Sequence, residues 1–217
     1  QASINLADDE ELMALMVQAG FDCVFIGIET PNEDSLIECN KIQNKGRDLV
    51  ACVKKIQRSG MQVQAGFILG FDSDKPSAFD ALIQFIQKSG VVTAMVGLLN
   101  APRGTKLYHR LMMENRLSEA ATGDNTNFSM NFVPKMGIED LLKGYKKVVS
   151  TIYSPRNYYE RVLTFLRDYK PGKNNKVRFR FCDVKAFLRS TWRLGIIGKG
   201  RLAYWKLIFW SLRSPRY

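Results

Sequence analysis

Apolar and amphipathic stretches alternate along the first half of the chain. Residues 23–28, 62–71 and 91–99 are predicted strands. The first is a continuous apolar run, which is typical of a strand that is covered on both faces, and the third is also predicted to be buried. Apolar residues recur every three or four positions in 46–59 and 76–89, which predicts a helix between successive strands. The alternation repeats about every 30–40 residues and therefore predicts parallel βαβ units.

The N-terminal segment predicts one more helix ahead of the first strand. Asp8 is a candidate N-cap because Glu11 follows three residues later, and Gly20 is a candidate C-terminal stop. Residues 3–6 are a candidate for the end of an earlier strand. The apolar face of the helix is predicted to consist of residues three and four apart, Leu12, Leu15, Met16 and Ala19.

The pattern changes after about residue 115. The expected order is a polar loop at 121–137, helices at 137–153 and 154–169, a basic linker at 170–176 and further helices to the end. We therefore predict an α/β fold class, with parallel βαβ units at 1–117 and an α-helical domain at 118–217. The pattern alone does not distinguish half of a (β/α) barrel from part of an open sheet.

Charge divides the chain in a similar way. Residues 1–115 contain 11 Lys or Arg and 14 Asp or Glu, a net charge of −3, whereas residues 116–217 contain 21 and 7, a net charge of +14. No apolar run reaches the roughly 18 residues that a membrane span needs, and the acidic start is not a signal peptide. The four cysteines lack metal-ligand spacing, which favours reduced thiols in a cytoplasmic protein.

Polar residues follow each predicted strand at its carboxyl end, where ligands bind in parallel α/β folds. Glu29 follows the first strand, Asp72 the second and Asn100 the third. A carboxylate is costly in an apolar interior unless it is paired. We therefore expect Glu29 to face a wet cleft and to bind hydroxyl groups or an amine. The alternative is that Glu29 caps a helix or pairs with Lys41.

Glycines alternate on the second strand in a G-x-I-x-G pattern formed by Gly66, Ile68 and Gly70. Alternating glycines remove side chains from one face of a strand and let a flat ligand approach the backbone. The alternative is close packing of a helix on the strand. The turn at 101–105 is a further candidate, because its backbone amides could bind an anion, although an ordinary loop has the same composition.

Four motifs resemble, in order and spacing, the second half of the radical S-adenosylmethionine (radical SAM) barrel: VFIGIETPNEDSL, NKIQN, AGFILGFDSD and GLLNAPRGTKLYHRL. The closest resemblance is to the subgroup that is fused to an N-terminal cobalamin-binding domain. The second half of the chain is similar to the accessory C-terminal helical domain of that subgroup. The resemblance covers almost the whole chain and implies half of a (β/α) radical-SAM-type barrel followed by helices.

The resemblance also implies which residues bind S-adenosylmethionine (SAM). Glu29 matches a polar residue that contacts the methionyl end or the ribose, and Lys41 matches a basic residue that meets the SAM carboxylate. The other implied cofactor-binding residues match segments beside the adenine, and they are Gly66, Ile68, Gly70, Leu98 and Asn100.

The sequence departs from the family in one respect. Radical SAM chemistry needs a [4Fe–4S] cluster on a C-x3-C-x2-C loop, and the chain contains neither that loop nor a cobalamin domain. We therefore expect a C-terminal fragment that is inactive alone, whose cluster and cobalamin bind only in the full-length enzyme. That enzyme is expected to catalyse radical methylation or rearrangement at an unactivated carbon. The two open edges of the half-barrel are expected to invite dimerisation.

The basic segment 178–217 interleaves Lys and Arg with Trp and Phe. Three interpretations stay open: a helical lid with solvated charges, an amphipathic surface on anionic lipid, and nucleic-acid binding, for which no motif accompanies the charge. A lipid-like substrate would favour the second. A non-catalytic module that binds membrane or RNA is thus the alternative to an enzyme. A third hypothesis is a (β/α) enzyme that uses Glu29 and Asp72 as acid and base.

Overall fold

A computed structural model of the chain describes residues 1–118, 130–171 and 181–214. Its centre is a parallel sheet of three strands in the order β1-β2-β3, and these strands are Cys23–Glu29, Gln62–Leu69 and Ala94–Leu98. The α/β class and the parallel βαβ units are therefore confirmed. The third strand begins later than the sequence pattern predicts, because a turn occupies its first predicted residues.

Helices connect the strands and follow the sheet. In the described part of the chain they are α1 Glu10–Gln18, α2 Glu33–Glu38, α3 Leu49–Ser59, α4 Ser77–Ser89, α5 Lys106–Met113, α6 Ile138–Ile152, α7 Pro155–Asp168, α8 Phe181–Ser190 and α9 Arg201–Arg213. Short 3-10 helices span Ile4–Asp8 and Ile42–Asn44, and a π-helix spans Thr191–Ile197. No helix among these is long and apolar enough to cross a bilayer.

The helices between strands begin and end at the signals that the sequence contains. Asp48 caps α3 by accepting a hydrogen bond from the Ala51 amide at 2.9 Å. Gly60 and Gly90 end α3 and α4 in the left-handed conformation, with φ angles of 110° and 71°. The helices predicted at 137–153 and 154–169 are confirmed as α6 and α7. Residues 130–137 contain no helix or strand beyond an isolated bridge, as the predicted loop requires, whereas residues 121–129 of that loop and 172–176 of the predicted linker lie outside the described residues.

The sheet buries one face only, which corrects the expectation of strands covered on both faces. Burial alternates along β1 and β2, as in a strand with one face against a core. The helices cover the side chains of the buried face, which are Val24, Ile26, Ile28, Val63, Ala65, Phe67 and Leu69. The opposite face is half-exposed in the described structure, so it is available to a ligand or to further protein.

The first helix is rotated relative to its predicted orientation. Asp9 caps it, accepting a hydrogen bond from the Leu12 amide at 2.8 Å, whereas Asp8 pairs with Arg47. Leu12 and Leu15 are therefore half-exposed, and Met13 is the buried residue of α1. The cause is the 3-10 helix Ile4–Asp8, which buries its own apolar residues in the place of the predicted strand end at 3–6.

The outer edge of β3 is covered, which corrects the expectation of two open sheet edges. Tyr153, the C-cap of α6, and Tyr145 on α6 donate hydrogen bonds to the carbonyls of Ala94 and Val96, at 2.7 and 3.2 Å. Covering an edge with a helix prevents pairing with other chains. At the other edge, Ala2 forms one parallel bridge to Ile26 of β1. Dimerisation through the edges stays a prediction.

The helices after residue 130 pack against the outer helical layer of the sheet. Leu141, Val148 and Ile152 of α6 belong to the same hydrophobic core as the sheet. Gly144 lies directly against the Phe79 ring of α4, so any side chain there would collide with that ring. The domain boundary between residues 117 and 118 stays a prediction.

Arg161 joins α7 to the rest of the structure as a fully buried cation. Its guanidinium donates hydrogen bonds to Gln87 Oε1 at 2.7 Å, to the Ile152 carbonyl at 2.6 Å and to the Val92 carbonyl at 3.2 Å. Burial lowers the pKa of Arg161. Its position at the C-terminal end of α6 compensates in part, because a helix dipole favours a cation there.

We predict that Arg161→Met lowers the free energy of unfolding by about 2–4 kcal/mol, because it leaves buried carbonyl and amide oxygens without a donor. Arg161→Lys is expected to be destabilising as well, since one ammonium cannot match the planar donor set of a guanidinium. The measurement is urea unfolding of the chain.

The matched control is Arg156→Met on the same helix, whose side chain is 86% exposed. It is expected to change the free energy of unfolding by less than about 0.5 kcal/mol. Equal effects at residues 156 and 161 would show that the buried hydrogen bonds do not anchor α7.

Candidate functional site

Three glycines lie on the half-exposed sheet face, one on each strand. Gly27 of β1 lies opposite Gly66 of β2, and Gly97 of β3 lies opposite Ile68. A methyl group at Gly97 would find no neighbour closer than the Phe67 carbonyl at 4.0 Å, so open space lies above this residue. At Gly66 a methyl group would lie 3.1 Å from the Phe25 ring. The face therefore offers backbone and one aromatic edge to a flat ligand.

Glu29 and Lys41 form an ion pair at the carboxyl end of β1. The Lys41 ammonium lies 3.1 Å from Glu29 Oε1, and the two side chains are 32% and 17% exposed respectively. The structure therefore has the alternative arrangement, in which Glu29 pairs with Lys41. Both side chains are partly exposed, so the pair lies at the edge of the half-exposed face and not in the core.

The backbone at Glu29 directs its side chain over Gly27. The pairing register with β2 shifts between Gly27 and Glu29, and Glu29 has a φ angle of 67°. Such a conformation is rare for a residue other than glycine and marks a site where the fold imposes strain. A methyl group at Gly27 would lie 2.6 Å from Glu29 Oε1 and 3.2 Å from Lys41 Nζ. The position of the ion pair thus depends on a glycine at residue 27.

Asn44 anchors the loop that contains Lys41. Its side chain is buried and donates a hydrogen bond to the Ile28 carbonyl at 3.1 Å. Its backbone N–H donates a hydrogen bond to the Lys41 carbonyl at 2.9 Å. Asn44 is a site residue that the sequence pattern does not reveal. A polar residue in a loop gives no signal of its burial, which only the tertiary structure creates.

The turn after β2 is organised by a buried carboxylate. Asp74 accepts hydrogen bonds from the Gly70 amide at 2.9 Å, the Phe71 amide at 3.1 Å and the Ser35 hydroxyl at 2.8 Å. Burial raises the pKa of Asp74. Gly70 has a φ angle of 107°, and a methyl group there would lie 2.9 Å from Leu141. Gly70 therefore allows the turn and the approach of α6.

An ion-pair cluster connects the loops that follow all three strands. Asp72 binds Arg116 through both carboxylate oxygens, at 2.6 and 2.9 Å, and Arg110 at 2.7 Å. Glu38 of α2 binds Arg110 at 3.1 Å and accepts the amides of Asp72 and Ser73. Arg116 keeps the pKa of Asp72 below its usual value. An ionised, doubly paired Asp72 is poorly suited to the acid–base role of the third hypothesis.

The end of β3 is tied to the segment that begins at residue 130. Asn131 is buried, accepts the Ala101 amide at 2.8 Å and donates to the Ala101 carbonyl at 2.6 Å. The Asn100 side chain accepts the Asn131 amide at 3.3 Å. Leu117 pairs with Phe132 in an antiparallel bridge. These contacts fix the loop after β3 to the segment that begins at residue 130. The sequence pattern gave no signal for them.

The structure brings part of the predicted site together. Glu29 and Lys41 meet at the end of β1, and Gly66 and Ile68 lie on the same half-exposed face. The other three predicted residues have structural contacts: they are Gly70 in its turn, Leu98 against the core and Asn100 in the β3 loop. Their assignment to SAM binding stays a prediction.

The cysteines do not form a metal site in the described part of the chain. All four are free; Cys23, Cys39 and Cys52 are half-buried, and Cys182 is exposed. Burial raises the pKa of the Cys39 thiol, which lies in the loop beside Lys41. Within the described ranges, no group of three or more His, Cys, Asp or Glu side chains could bind a metal ion.

The chain is similar to a protein family and to several methyltransferases. Residues 105–217 match a domain of unknown function, DUF4070. The chain is 38% identical, over 98% of its length, to 40% of the uncharacterized methyltransferase sll1242 of Synechocystis sp.. It is 30% identical, over 95% of its length, to 40% of the hopanoid C-2 methylase of Rhodopseudomonas palustris.

A third relative is the bacteriochlorophyllide d C-12(1)-methyltransferase of Chlorobaculum tepidum, which is 28% identical over 70% of this chain and 33% of that protein. The chain thus spans about two fifths of the length of the curated relatives that it matches over nearly its whole length.

The ion-pair cluster predicts a pH-dependent stability. The pKa of Asp72 is lower in the folded than in the unfolded chain, so its contribution is complete above the ordinary Asp pKa of about 3.9. That contribution disappears as the pH falls through the folded pKa. We expect Asp72→Asn to lower the free energy of unfolding by about 1–3 kcal/mol at neutral pH and by much less in acid.

The measurement is urea unfolding at neutral and acidic pH. The control is Asp80→Asn, which removes a carboxylate that is 57% exposed and pairs with Lys147. Exposed pairs contribute at most about 1 kcal/mol. If Asp72→Asn lowers the free energy of unfolding equally at both pH values, the charge of Asp72 does not stabilise the fold as we predict.

Proposed function

We propose, since the chain belongs to the DUF4070 family, that it forms the SAM-binding part of a radical SAM methyltransferase of the cobalamin-dependent subgroup. All four curated proteins that match it are named as methylases or methyltransferases. The observation on which the proposal depends is the Glu29–Lys41 ion pair, which lies over Gly27 at the edge of a glycine-lined face.

The ion pair fits the amino-acid end of SAM. That end has an ammonium and a carboxylate side by side, so Glu29 would accept hydrogen bonds from the ammonium while Lys41 donates to the carboxylate. Both side chains already lie in a partly exposed pair at 3.1 Å. On binding, Glu29 would exchange the Lys41 ammonium for the SAM ammonium, and Lys41 would exchange the Glu29 carboxylate for the SAM carboxylate. The desolvation penalty for the charged groups is therefore small compared with the burial of an unpaired charge.

The glycine face fits the adenosyl end. Gly97 leaves its backbone uncovered, and the Phe25 ring edge lies over Gly66 on the neighbouring strand. A flat base stacks best where no side chain projects, as above Gly97. Ile68, opposite Gly97, would contribute apolar contact at the margin of the base. The Glu38–Asp72–Arg110–Arg116 cluster would position the surrounding loops without touching the ligand.

When bound, SAM supplies the methyl group and, after one-electron reduction by an iron–sulfur cluster, the means to activate an unreactive carbon. The chain's own residues would orient SAM and limit access of water to it. The cluster and cobalamin would bind to other parts of a longer enzyme, because the chain has no C-x3-C-x2-C loop.

The relatives suggest a substrate class. One of them is named for a hopanoid and two for a bacteriochlorophyllide. By extension we propose an apolar small molecule as the substrate of the complete enzyme. The alternative of a non-catalytic module is not favoured, because the relatives are named as enzymes.

The test uses the chain joined to the upstream part of the enzyme that we propose, reconstituted anaerobically with iron and sulfide and supplied with dithionite as the electron donor. We expect SAM-dependent formation of 5′-deoxyadenosine. Lys41→Gln and Glu29→Gln are each expected to raise the KM for SAM about 10- to 100-fold, because each removes a charged hydrogen-bond partner.

The matched control is Lys147→Gln, which also removes a lysine from an ion pair, with Asp80, on the surface of α6. Its KM for SAM is expected to equal that of the wild type. A wild-type enzyme that forms no 5′-deoxyadenosine would overturn the proposed reaction. Equal KM values for the residue 41 and residue 147 variants would overturn the proposed binding site.

A further inference from the structure

The C-terminal helices, by which we mean α8, the π-helix and α9 at residues 181–214, expose an unusual amount of apolar surface. No residue of α8 is buried. Eleven large apolar side chains of this segment are at least 47% exposed: Phe181, Val184, Phe187, Leu188, Trp192, Leu194, Ile196, Ile197, Leu202, Phe209 and Leu212. Three of them, Leu188, Trp192 and Leu194, line one groove. A concentration of exposed apolar side chains marks a site of interaction with protein or membrane.

The exposure is not caused by a lack of anchoring. Tyr204 of α9 is buried and packs edge-on against Tyr159 of α7. Its hydroxyl hydrogen-bonds with the Thr191 hydroxyl at 3.0 Å, and Trp205 Nε1 donates to the Gly195 carbonyl at 3.0 Å. The C-terminal helices are therefore fixed to α7 by one face while the other apolar side chains remain in solvent.

Cations accompany the apolar side chains. Residues 181–214 contain seven Lys or Arg and a single carboxylate, Asp183. Within the described residues, no ion pair involves any of the seven cations. Three of them line an open groove of about 700 Å³ together with apolar side chains, and the lining includes Lys185, Arg189, Arg193, Leu188, Trp192 and Leu194.

Exposed apolar side chains and cations also lie side by side along helix α9. Leu202 and Phe209 are seven residues apart and therefore lie on the same stripe of the helix. Lys206 and Arg213, also seven residues apart, lie on the adjacent stripe. All four are exposed. A helix at a lipid surface has this arrangement, with apolar side chains below the headgroups and cations at the level of the phosphates.

We propose that the C-terminal helices dock on the surface of a bilayer that contains anionic lipids. Positive charge alone would also suit RNA, but the exposed aliphatic side chains of Leu202, Leu212 and Ile197 would stay in water on a nucleic acid, because they have no ring to stack on bases. A bilayer accommodates both features, since the acyl region takes up the apolar side chains and the phosphates attract the cations. The proposal is independent of SAM binding.

The test is co-sedimentation of the 217-residue chain with vesicles of phosphatidylcholine, with and without phosphatidylglycerol. We expect binding to the anionic vesicles that weakens at high salt, together with a blue shift of tryptophan fluorescence, because Trp192 is 60% exposed in the free chain. Each cation near an anionic surface contributes about fivefold to partitioning.

Two variants separate the charged and the apolar contributions. Lys185→Gln/Arg189→Gln/Arg193→Gln is expected to weaken binding about 10- to 100-fold. Leu202→Ser/Leu212→Ser retains every charge and is expected to weaken binding about tenfold or more. Because these two leucines are 82% and 78% exposed, their replacement should not affect folding, which circular dichroism can confirm.

The matched control is Lys88→Gln/Lys143→Gln/Lys146→Gln, which removes three exposed lysines from α4 and α6. It is expected to bind vesicles as tightly as the wild type. The proposal is wrong if the wild type does not bind, if it binds neutral vesicles equally well, or if the control loses as much affinity as the groove variant. Tighter binding to RNA than to vesicles, or self-association that buries the same tryptophan, would also overturn it.

Discussion

The register of the three parallel strands is the constraint on which the candidate site depends. It places Gly27 beside Gly66 and Gly97 beside Ile68, so three glycines share one face of the sheet. A shift of one residue in any strand would turn bulky side chains onto this face. The bulge at the end of β1 then directs Glu29 over Gly27 toward Lys41. The positions of the candidate site residues on β1, β2 and β3 are thus set by backbone pairing.

The loops around this face are connected to one another by charge and by buried amides. Glu38, Asp72, Arg110 and Arg116 join segments that follow different strands, and Asn131 closes the loop after β3. On the far side, tyrosines of α6 cover the edge of β3, and Arg161 anchors α7. The helical second half therefore stabilises the sheet that presents the site, while its last helices leave an apolar, cationic surface exposed.

The sequence predicts those structural elements that local residue patterns determine. The strands, the interstrand helices and the glycines that end α3 and α4 follow from periodicity and from backbone preferences at those residues. The pairing of Glu29 with Lys41 was one of two alternatives for Glu29. The Asp72 cluster was not predicted, because its arginines lie 38 and 44 residues away and only the tertiary structure brings them together. The exposed face of α1 was mispredicted for a similar reason, since the preceding 3-10 helix occupies the core position.

The most direct test of the central claim is a titration of the isotope-labelled chain with SAM, followed through the backbone amide signals of its glycines. The account predicts saturable shifts at Gly27, Gly66 and Gly97, which share the half-exposed face. Gly144, which packs on Phe79, and Gly195, which packs on Tyr204, should not respond. Saturable shifts confined to Gly144 and Gly195, or no saturable shift at the three sheet glycines, would contradict the account.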